Sequence, residues 1–554
     1  MKSLICALNT KYIHSSLAPW CLKAGAKMYA KDCDCQIFES TINEDFDSLL
    51  KKITEYDFDL IAFSTYIWNK NLVLKLAKGI KELRNVSVAL GGPEVSYNIE
   101  NVFLEAPYVD YILSGEGEEP FGRLCSGENV ESIPGVSYKK DGEIIKKPPH
   151  VSRFDPPSPY LDEYFECLDN RIAYLETSRG CPYRCAFCLS GRCETVRFFS
   201  IEKAKENIIR LANSGAKTVK LVDRTFNADR KRARDIFFFI MDNYGKNIPI
   251  DVCFHFEIEG TLLENEDIEL LRNAPKGLFQ FEIGLQSFNE STLKSINRHV
   301  ALDKLCENVR KVIALGNIHI HIDLIAGLPY EDKKSFENSF NMALMLKPQM
   351  LQFGFLKMLY GSDMREKWQD VYDFDINPPY EVISNPYISK EELALMHKVE
   401  NTFDRIYNSK RFNSLCEYLH SVYENPYKMY EDLSIYLDSC EKNKTLDELT
   451  LNIYTYFQKS PYVCREKLRD LLAYDRLTTN RMGTLPEPLK VKTPKIKEML
   501  NLLEENADTK RKSGVKRAAT VLLTTGEFVY VDYTNTDPVK KTYEARKIKL
   551  ENIF

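Results

Sequence analysis

The segment Glu176-Thr177-Ser178-Arg179-Gly180-Cys181-Pro182-Tyr183-Arg184-Cys185-Ala186-Phe187-Cys188 sets three cysteines in the spacing C-x3-C-x2-C. A structural zinc site wants four ligands, usually as two separated pairs. Here three thiols crowd one short loop that follows a strand. Three thiolates can hold three irons of a [4Fe–4S] cluster and leave the fourth iron open. An open iron can take an external chelate, such as the amino and carboxylate groups of S-adenosylmethionine. Reduction of such a cluster permits homolysis of the sulfonium C–S bond and yields a carbon radical. Tyr183 and Phe187 are expected to shield the cluster from water. The competing readings are three incidental thiols on a turn, or a zinc site completed by Cys193. Cys193 lies outside the three-cysteine spacing and is read as non-ligating.

Around this loop, strand and helix signals alternate. From Arg171 to about Tyr360 the strand candidates are Ile172–Thr177, Thr218–Val222, Ile250–Phe256, Phe279–Gly284, His319–Ile325 and Leu351–Leu356, with helical stretches between them such as Ile201–Ala212 and Leu302–Leu315. Six β-α units suit a partial, open (β/α)6 version of the TIM-like barrel, whose chemistry sits on the loops after the strands. Residues 1–125 show the same rhythm, with apolar runs at Leu4–Leu8, Cys35–Phe38, Leu60–Ser64, Val86–Leu90 and Val109–Leu113. Leu72, Leu76, Ile80 and Leu83 recur at helical spacing within Asn71–Leu83. This part reads as a doubly wound, flavodoxin- or Rossmann-like parallel sheet, with ligands at the carboxyl ends of its strands. Residues 126–170, with Pro148-Pro149 and Asp155-Pro156-Pro157-Ser158-Pro159, read as a linker, and 171–365 as the barrel. Residues 366–554 form a C-terminal domain, mostly helical over 390–476 and ending in a hairpin around Thr525-Gly526. The fold class is therefore α/β with a helical C-terminal domain.

The chain has 554 residues, which at ~150 residues per domain predicts roughly three or four domains. Lys+Arg number 75 and Asp+Glu 80, a net charge of −5 that excludes a general polyanion-coating role. No apolar run reaches the ~18 residues of a membrane span, and the first residues read as a strand rather than a signal peptide. A cytoplasmic setting without membrane partners is expected. Fifteen cysteines without an export signal argue against a disulfide framework.

The cysteine motif and the order of the segments around it resemble the radical S-adenosylmethionine (radical SAM) enzymes that carry an N-terminal B12-binding domain. The resemblance covers roughly residues 1–125 and 171–365. It implies that Cys181, Cys185 and Cys188 bind a [4Fe–4S] cluster. The pattern of oxygen-independent coproporphyrinogen oxidases and their relatives implies SAM contacts at Glu257 (ribose), Gln286, Arg298 and Asp323. Asp223 falls where relatives carry a Gly-Gly-Glu-type segment that binds the methionine amino group, but the glycines are absent here. In the N-terminal domain the resemblance implies cobalamin contacts at Ser64, Thr65, Gly91 and Gly92, and Gly115-Glu116-Gly117-Glu118 also recurs in such proteins. The Asp-x-His-x-x-Gly signature of B12 mutases is missing. His14 in the first loop is more often a loop hydrogen-bonder than a cobalt ligand.

The C-terminal third resembles an uncharacterised domain that accompanies such proteins. Tyr474-Asp475-Arg476 could close the barrel mouth, although helical packing is the preferred reading. The run 490–517 carries nine Lys/Arg against four Asp/Glu and reads as a solvated face rather than an RNA contact. The resemblance thus implies a transferase of anaerobic settings that cleaves SAM to a 5′-deoxyadenosyl radical. With cobalamin, it would methylate or otherwise modify an unactivated carbon of a small molecule or peptide. Its reductant would be a flavodoxin or ferredoxin. A radical SAM enzyme acting on transfer RNA, and a non-catalytic B12- or redox-responsive binding protein, are the alternatives; nucleic acid is the less favoured partner.

Overall fold

The structure, a computed structural model, describes residues 1–192, 195–481, 484–491, 496, 498–499 and 517–549. Cys193 and nearly all of the basic run 490–517 lie outside the described residues. The chain forms two compact units. The first comprises Met1–Glu282, Lys294–Ala301 and Leu356–Asn385; the second comprises Ile283–Leu293, Leu302–Phe355 and Pro386–Phe554.

The first unit opens on a seven-stranded sheet of β1 (Lys2–Asn9), β2 (Asp34–Thr41), β3 (Leu60–Ser64), β4 (Ser87–Gly91), β5 (Tyr111–Leu113), β6 (Val136–Lys140) and β7 (Glu143–Ile145). Their order is β2-β1-β3-β4-β5-β6-β7, with the first five parallel. Parallel strands covered on both faces read as continuous apolar runs. Their alternation divides them between two cores. Leu4, Cys6, Leu8, Ile61 and Phe63 pack on one side, and Ile5, Leu60, Ala62 and Ala89 on the other. The helix Lys70–Leu83 buries Val73, Leu76, Ala77 and Ile80. Leu83, expected on that face, is exposed because the helix ends there.

The stretch read as a linker contributes β6 and β7, which pair antiparallel with β5 and with each other. Their turn is Asp141-Gly142, both at positive φ (50° and 86°). Asp-Gly with two such residues is the signature of a tight hairpin whose twist matches its strands.

The first unit then carries parallel strands β8 (Ile172–Leu175), β9 (Thr218–Leu221), β10 (Cys253–Glu257) and β11 (Phe279–Gln286), which enters the second unit at Ile283. Helices Ile201–Ala212 and Arg230–Asn243 follow β8 and β9. A Phe226, Phe237, Phe256, Phe279 and Phe281 cluster fills the space between the helices and the strands.

In the second unit β12 (His319–Ala326) and β13 (Met350–Phe355) pair in parallel. Five helices follow: Lys390–Phe403, Asn413–Val422, Pro426–Asp438, Leu446–Phe457 and Arg465–Thr479. The hairpin is present, as β14 (Arg517–Val521) and β15 (Glu527–Thr536), and a third strand, β16 (Tyr543–Lys549), joins it. Asp475 and Arg476 are buried inside this unit. Asp475 accepts the backbone N–H of Ser414 and Leu415, and Arg476 pairs with Asp447. Both serve helical packing. Among the described residues no helix is long and apolar enough to cross a membrane.

Candidate functional site

In an open parallel sheet, the chain leaves β1 and β3 in opposite directions, which opens a crevice at their carboxyl ends. A cavity of about 1030 Å³ lies at that place in the first unit. One wall is made by the carboxyl ends of β1, β3, β4 and β5 and the segments that follow them, including Ser64, Gly91, Gly92 and Glu118. Another is made by side chains of β8 to β11, including Tyr174, Lys220, His255, Glu257 and Gln280. Tyr66 and Trp68 stack at 4.5 Å along its edge, and the Trp68 indole donates to Leu8 O (3.2 Å). A cavity of this size with largely apolar walls suits a large, flat cofactor with a polar tail. The residues present fit cobalamin.

Of the four predicted cobalamin contacts, Ser64, Gly91 and Gly92 face this cavity. Thr65 does not. It is fully buried in the wall, with its N–H on Gly91 O (2.7 Å) and its hydroxyl toward Phe63 O. Gly92 sits at φ +111°, and a Cβ there would lie 2.4 Å from Thr65 O. Gly92→Ala is expected to destabilise the domain by about 2–4 kcal/mol, from backbone strain plus the clash. Gly91→Ala, whose Cβ meets only Leu113 at 3.7 Å, should leave the unfolding midpoint nearly unchanged. Thermal unfolding of the two variants tests this contrast. His14 also lines the cavity, its Nδ1 2.8 Å from the Tyr174 hydroxyl. Burial, then the charges of Lys11, Lys220 and Arg171, pushes its pKa down.

The cysteine loop follows β8. Each of its thiols has a donor or hydroxyl at hand. Cys181 Sγ lies 3.3 Å from the Thr225 hydroxyl, Arg298 Nη1 reaches Cys185 Sγ at 3.5 Å, and Ser190 N donates to Cys188 Sγ at 3.4 Å. Three cysteine sulfurs in one short loop, each with a polar neighbour, are a donor set that fits a [4Fe–4S] cluster. Burial raises the pKa of Cys185 and the Arg298 charge opposes that rise. The loop is pinned by Ala186 N to Ile296 O, Met364 N to Ala186 O and Asn297 Nδ2 to Arg184 O, each 2.8 Å. Tyr183 and Phe187 are half-buried on it, and burial, then the Glu259 charge, pushes the Tyr183 phenol up to about 12.

The predicted SAM contacts fall in different places. Arg298 stands beside Cys185 and pairs through Nη2 with Glu259 (3.1 Å), a buried acid that sequence reasoning missed. Glu257 instead faces the large cavity, 3.8 Å from Arg224 and 3.9 Å from Lys220. In the second unit, Gln286 is held at φ +73° with its Oε1 buried and unpartnered among the described residues, and Asp323 lies 2.9 Å from His321 Nε2.

Asp223 is buried behind the cysteine loop. It accepts Thr177 N (3.0 Å), Thr177 Oγ1 (2.7 Å) and Ser178 Oγ (2.5 Å), which makes it a brace of that loop. Burial pushes its carboxyl up to about 6 despite these donors. A carboxyl raised in the fold contributes its full stability below the unfolded value of 3.8, and loses it as pH climbs through about 6. The loss amounts to about 3 kcal/mol. Asp223→Asn should remove this dependence, so the stability difference between parent and variant should shift toward the variant between about pH 4 and pH 6. Denaturant unfolding across that range measures it, and parallel curves would refute it.

Arg179, two residues before Cys181, joins the loop to the cavity. It pairs with Glu116 (2.9 Å), Glu118 (2.6 Å) and Glu176 (2.8 Å), while Arg197 also holds Glu116 (2.8 Å). Burial opposes its charge, yet Glu176 and Glu118 keep its pKa well above the ordinary value.

Comparisons with known proteins agree with this arrangement. Three family models match: the B12 binding domain over residues 4–125, the Radical SAM superfamily over 175–343, and a protein family of unknown function, DUF4080, over 366–542. The 2-(S-pantetheinyl)-carbapenam-3-carboxylate methyltransferase of Streptantibioticus cattleyicolor is 31% identical over 323 residues, 52% of this chain and 45% of that protein. The cobalamin-dependent radical SAM methyltransferase TokK of Streptomyces tokunonensis is 31% identical over 312 residues, again 52% and 45%. The chain thus spans about half the length of these curated relatives. Among solved structures, the cobalamin-dependent S-adenosylmethionine radical enzyme OxsB, with aqua-cobalamin and S-adenosylmethionine bound, superposes with a TM-score of 0.59 at 15% identity. That match covers 92% of this chain and 82% of OxsB, and it shares the fold. A radical SAM domain is the kind that carries a [4Fe–4S] cluster and SAM, and a B12 binding domain the kind that carries cobalamin; the cofactor set stands on those two matches. The chain is a radical SAM protein with an N-terminal B12-binding domain and a C-terminal domain of the DUF4080 kind.

Proposed function

We propose that this chain is a cobalamin-dependent radical SAM enzyme that methylates or otherwise modifies an unactivated carbon of a small molecule or peptide. One observation carries the proposal: the large cavity of the B12-binding domain has the barrel strands as its other wall, and the cysteine loop leaves the first of those strands. When bound, the cluster and SAM supply a carbon-centred radical and cobalamin a transferable methyl group.

The chain's own residues bind and orient. Cys181, Cys185 and Cys188 would hold the cluster, with Thr225, Arg298 and Ser190 N–H offering contacts to sulfur. Tyr183 and Phe187 exclude water from the loop, and Glu257, Gln286 and Asp323 are the candidates for SAM. Ser64, Gly91 and Gly92 would meet the corrin or its tail, while Thr65 shapes the wall behind them. The electrons would come from a flavodoxin or ferredoxin.

The test is anaerobic reconstitution with iron, sulfide and hydroxocobalamin, followed by SAM and dithionite. The expected result is 5′-deoxyadenosine by mass spectrometry, with close to one corrin per chain retained through gel filtration. Cleavage of SAM without corrin retention would remove cobalamin from the reading, and a full cluster without cleavage would favour a binding or sensing role.

A further inference from the structure

The second unit holds a separate cavity of about 310 Å³, at the junction of a π-helical turn, Asp404–Asn408, and the start of the helix Leu446–Phe457. Its lining includes Arg405, Arg411, Lys444, Asp404, Ser409 and Thr445. Three cations thus face one acid. Among the described residues none of Arg405, Arg411 and Lys444 makes an ion pair. Arg405 is held by a neutral group, its Nη2 donating to the backbone oxygen and, at 3.0 Å, the side-chain oxygen of Asn443. Burial lowers its pKa, and no carboxylate offsets the effect.

The nearby acids have other duties. Asp404 accepts Asn408 Nδ2 (2.5 Å), and Glu448 caps its helix by accepting Lys444 N (3.0 Å) and Thr445 N (2.9 Å). A partly buried guanidinium with no counter-ion carries a desolvation cost that an anionic ligand would remove. π-Turns cost hydrogen-bond geometry and recur at functional sites.

We propose that this cavity binds the phosphate group of a small phosphorylated molecule. The excess positive charge matches a phosphate monoester dianion, the Arg405 fork suits two phosphate oxygens, and Thr445 brings a hydroxyl to the same space, while the Ser409 hydroxyl is spent on Arg405 O (2.8 Å). The volume admits the phosphate and a moiety about the size of a pentose. The site is independent of the large cavity and of the chemistry proposed above for it.

The test uses the full chain and ribose 5-phosphate, titrated by calorimetry at constant ionic strength, with ribose and inorganic phosphate as comparison ligands. Ribose 5-phosphate should bind saturably at one site per chain, inorganic phosphate more weakly, and ribose not at all. Arg405→Gln should weaken binding at least about tenfold, a loss of about 1.4 kcal/mol. Lys444→Gln, at an exposed position, should weaken it in the same direction with unchanged thermal stability, so the proposal stays testable if the Arg405 variant folds poorly. Absence of saturation at millimolar ligand, or equal affinity in parent and Lys444→Gln, would overturn the proposal. So would an RNA hairpin that binds more tightly with the same dependence on both residues, since the site would then read a polymer backbone.

Discussion

Cys185→Ala, reconstituted anaerobically beside the parent chain, is expected to yield 5′-deoxyadenosine only at the protein-free background and to lose most of its iron. The expectation rests on numbers of ligands. A cubic cluster with three protein thiolates has one open iron; with two it has two, and it is lost or converted. Cys185 is also the most buried of the three, at 8% exposure, and it stands against Arg298. Removing its sulfur leaves that charge facing an apolar methyl. Cys306→Ala is the control: this thiol is equally buried, at 8%, but lies on the helix Leu302–Leu315 of the other unit. It should keep full iron and full SAM cleavage. If Cys185→Ala retained cluster and cleavage, the ligand assignment would fall, and a fourth thiol such as Cys193 would have to replace it.

The loop was legible because its chemistry is local. Cys181, Cys185 and Cys188 lie within eight residues, and a strand precedes them. The parallel strands were legible for a related reason, since β1 and β3 are apolar on both faces and need no partner to be recognised. What the reading along the chain could not supply was which acid faces which cation. Glu257 ends β10, where the ribose contact is expected; the chain then turns, and Glu259 takes the position beside Arg298. Asp223 occupies the expected place after β9, but only the fold reveals that Thr177 and Ser178 consume its oxygens. Ser64 and Thr65 are chemically alike and adjacent, and the end of β3 points one into the cavity and the other into the wall. Asp141-Gly142 is a different case: its hairpin signal is local and legible, but the proline-rich run that follows gives the stretch the composition of a linker.

The other large effect concerns Arg179, which no motif marks. It gathers Glu116, Glu118 and Glu176 from positions 63, 61 and 3 residues away. Glu116 lies in the loop after β5 of the B12-binding domain, Glu118 opens the helix Glu118–Cys125 that follows it, and Glu176 immediately follows β8. The Arg179 side chain is 18% exposed and that of Glu118 only 7%. Without Arg179, Glu116 keeps Arg197 but Glu118 and Glu176 are left without a cation, and an uncompensated buried charge costs about 3–5 kcal/mol. Arg179→Met should therefore lower the unfolding midpoint by roughly 10 °C at 2–4 °C per kcal/mol. The acids it abandons line the cavity wall, so corrin retention should fall together with iron content, because the loop that starts at Arg179 loses the anchor at its entry. Glu118→Gln alone should cost less, since Arg179 keeps Glu116 and Glu176 as partners. The double variant, Arg179→Met with Glu118→Gln, should be more stable than Arg179→Met alone, because the most deeply buried unpaired carboxylate is gone. A midpoint for Arg179→Met within about 2 °C of the parent would mean that the network contributes little. Strict additivity of the two substitutions would mean that Arg179 and Glu118 are not coupled. Loss of corrin with iron unchanged would confine Arg179 to the cavity wall and separate it from the cysteine loop.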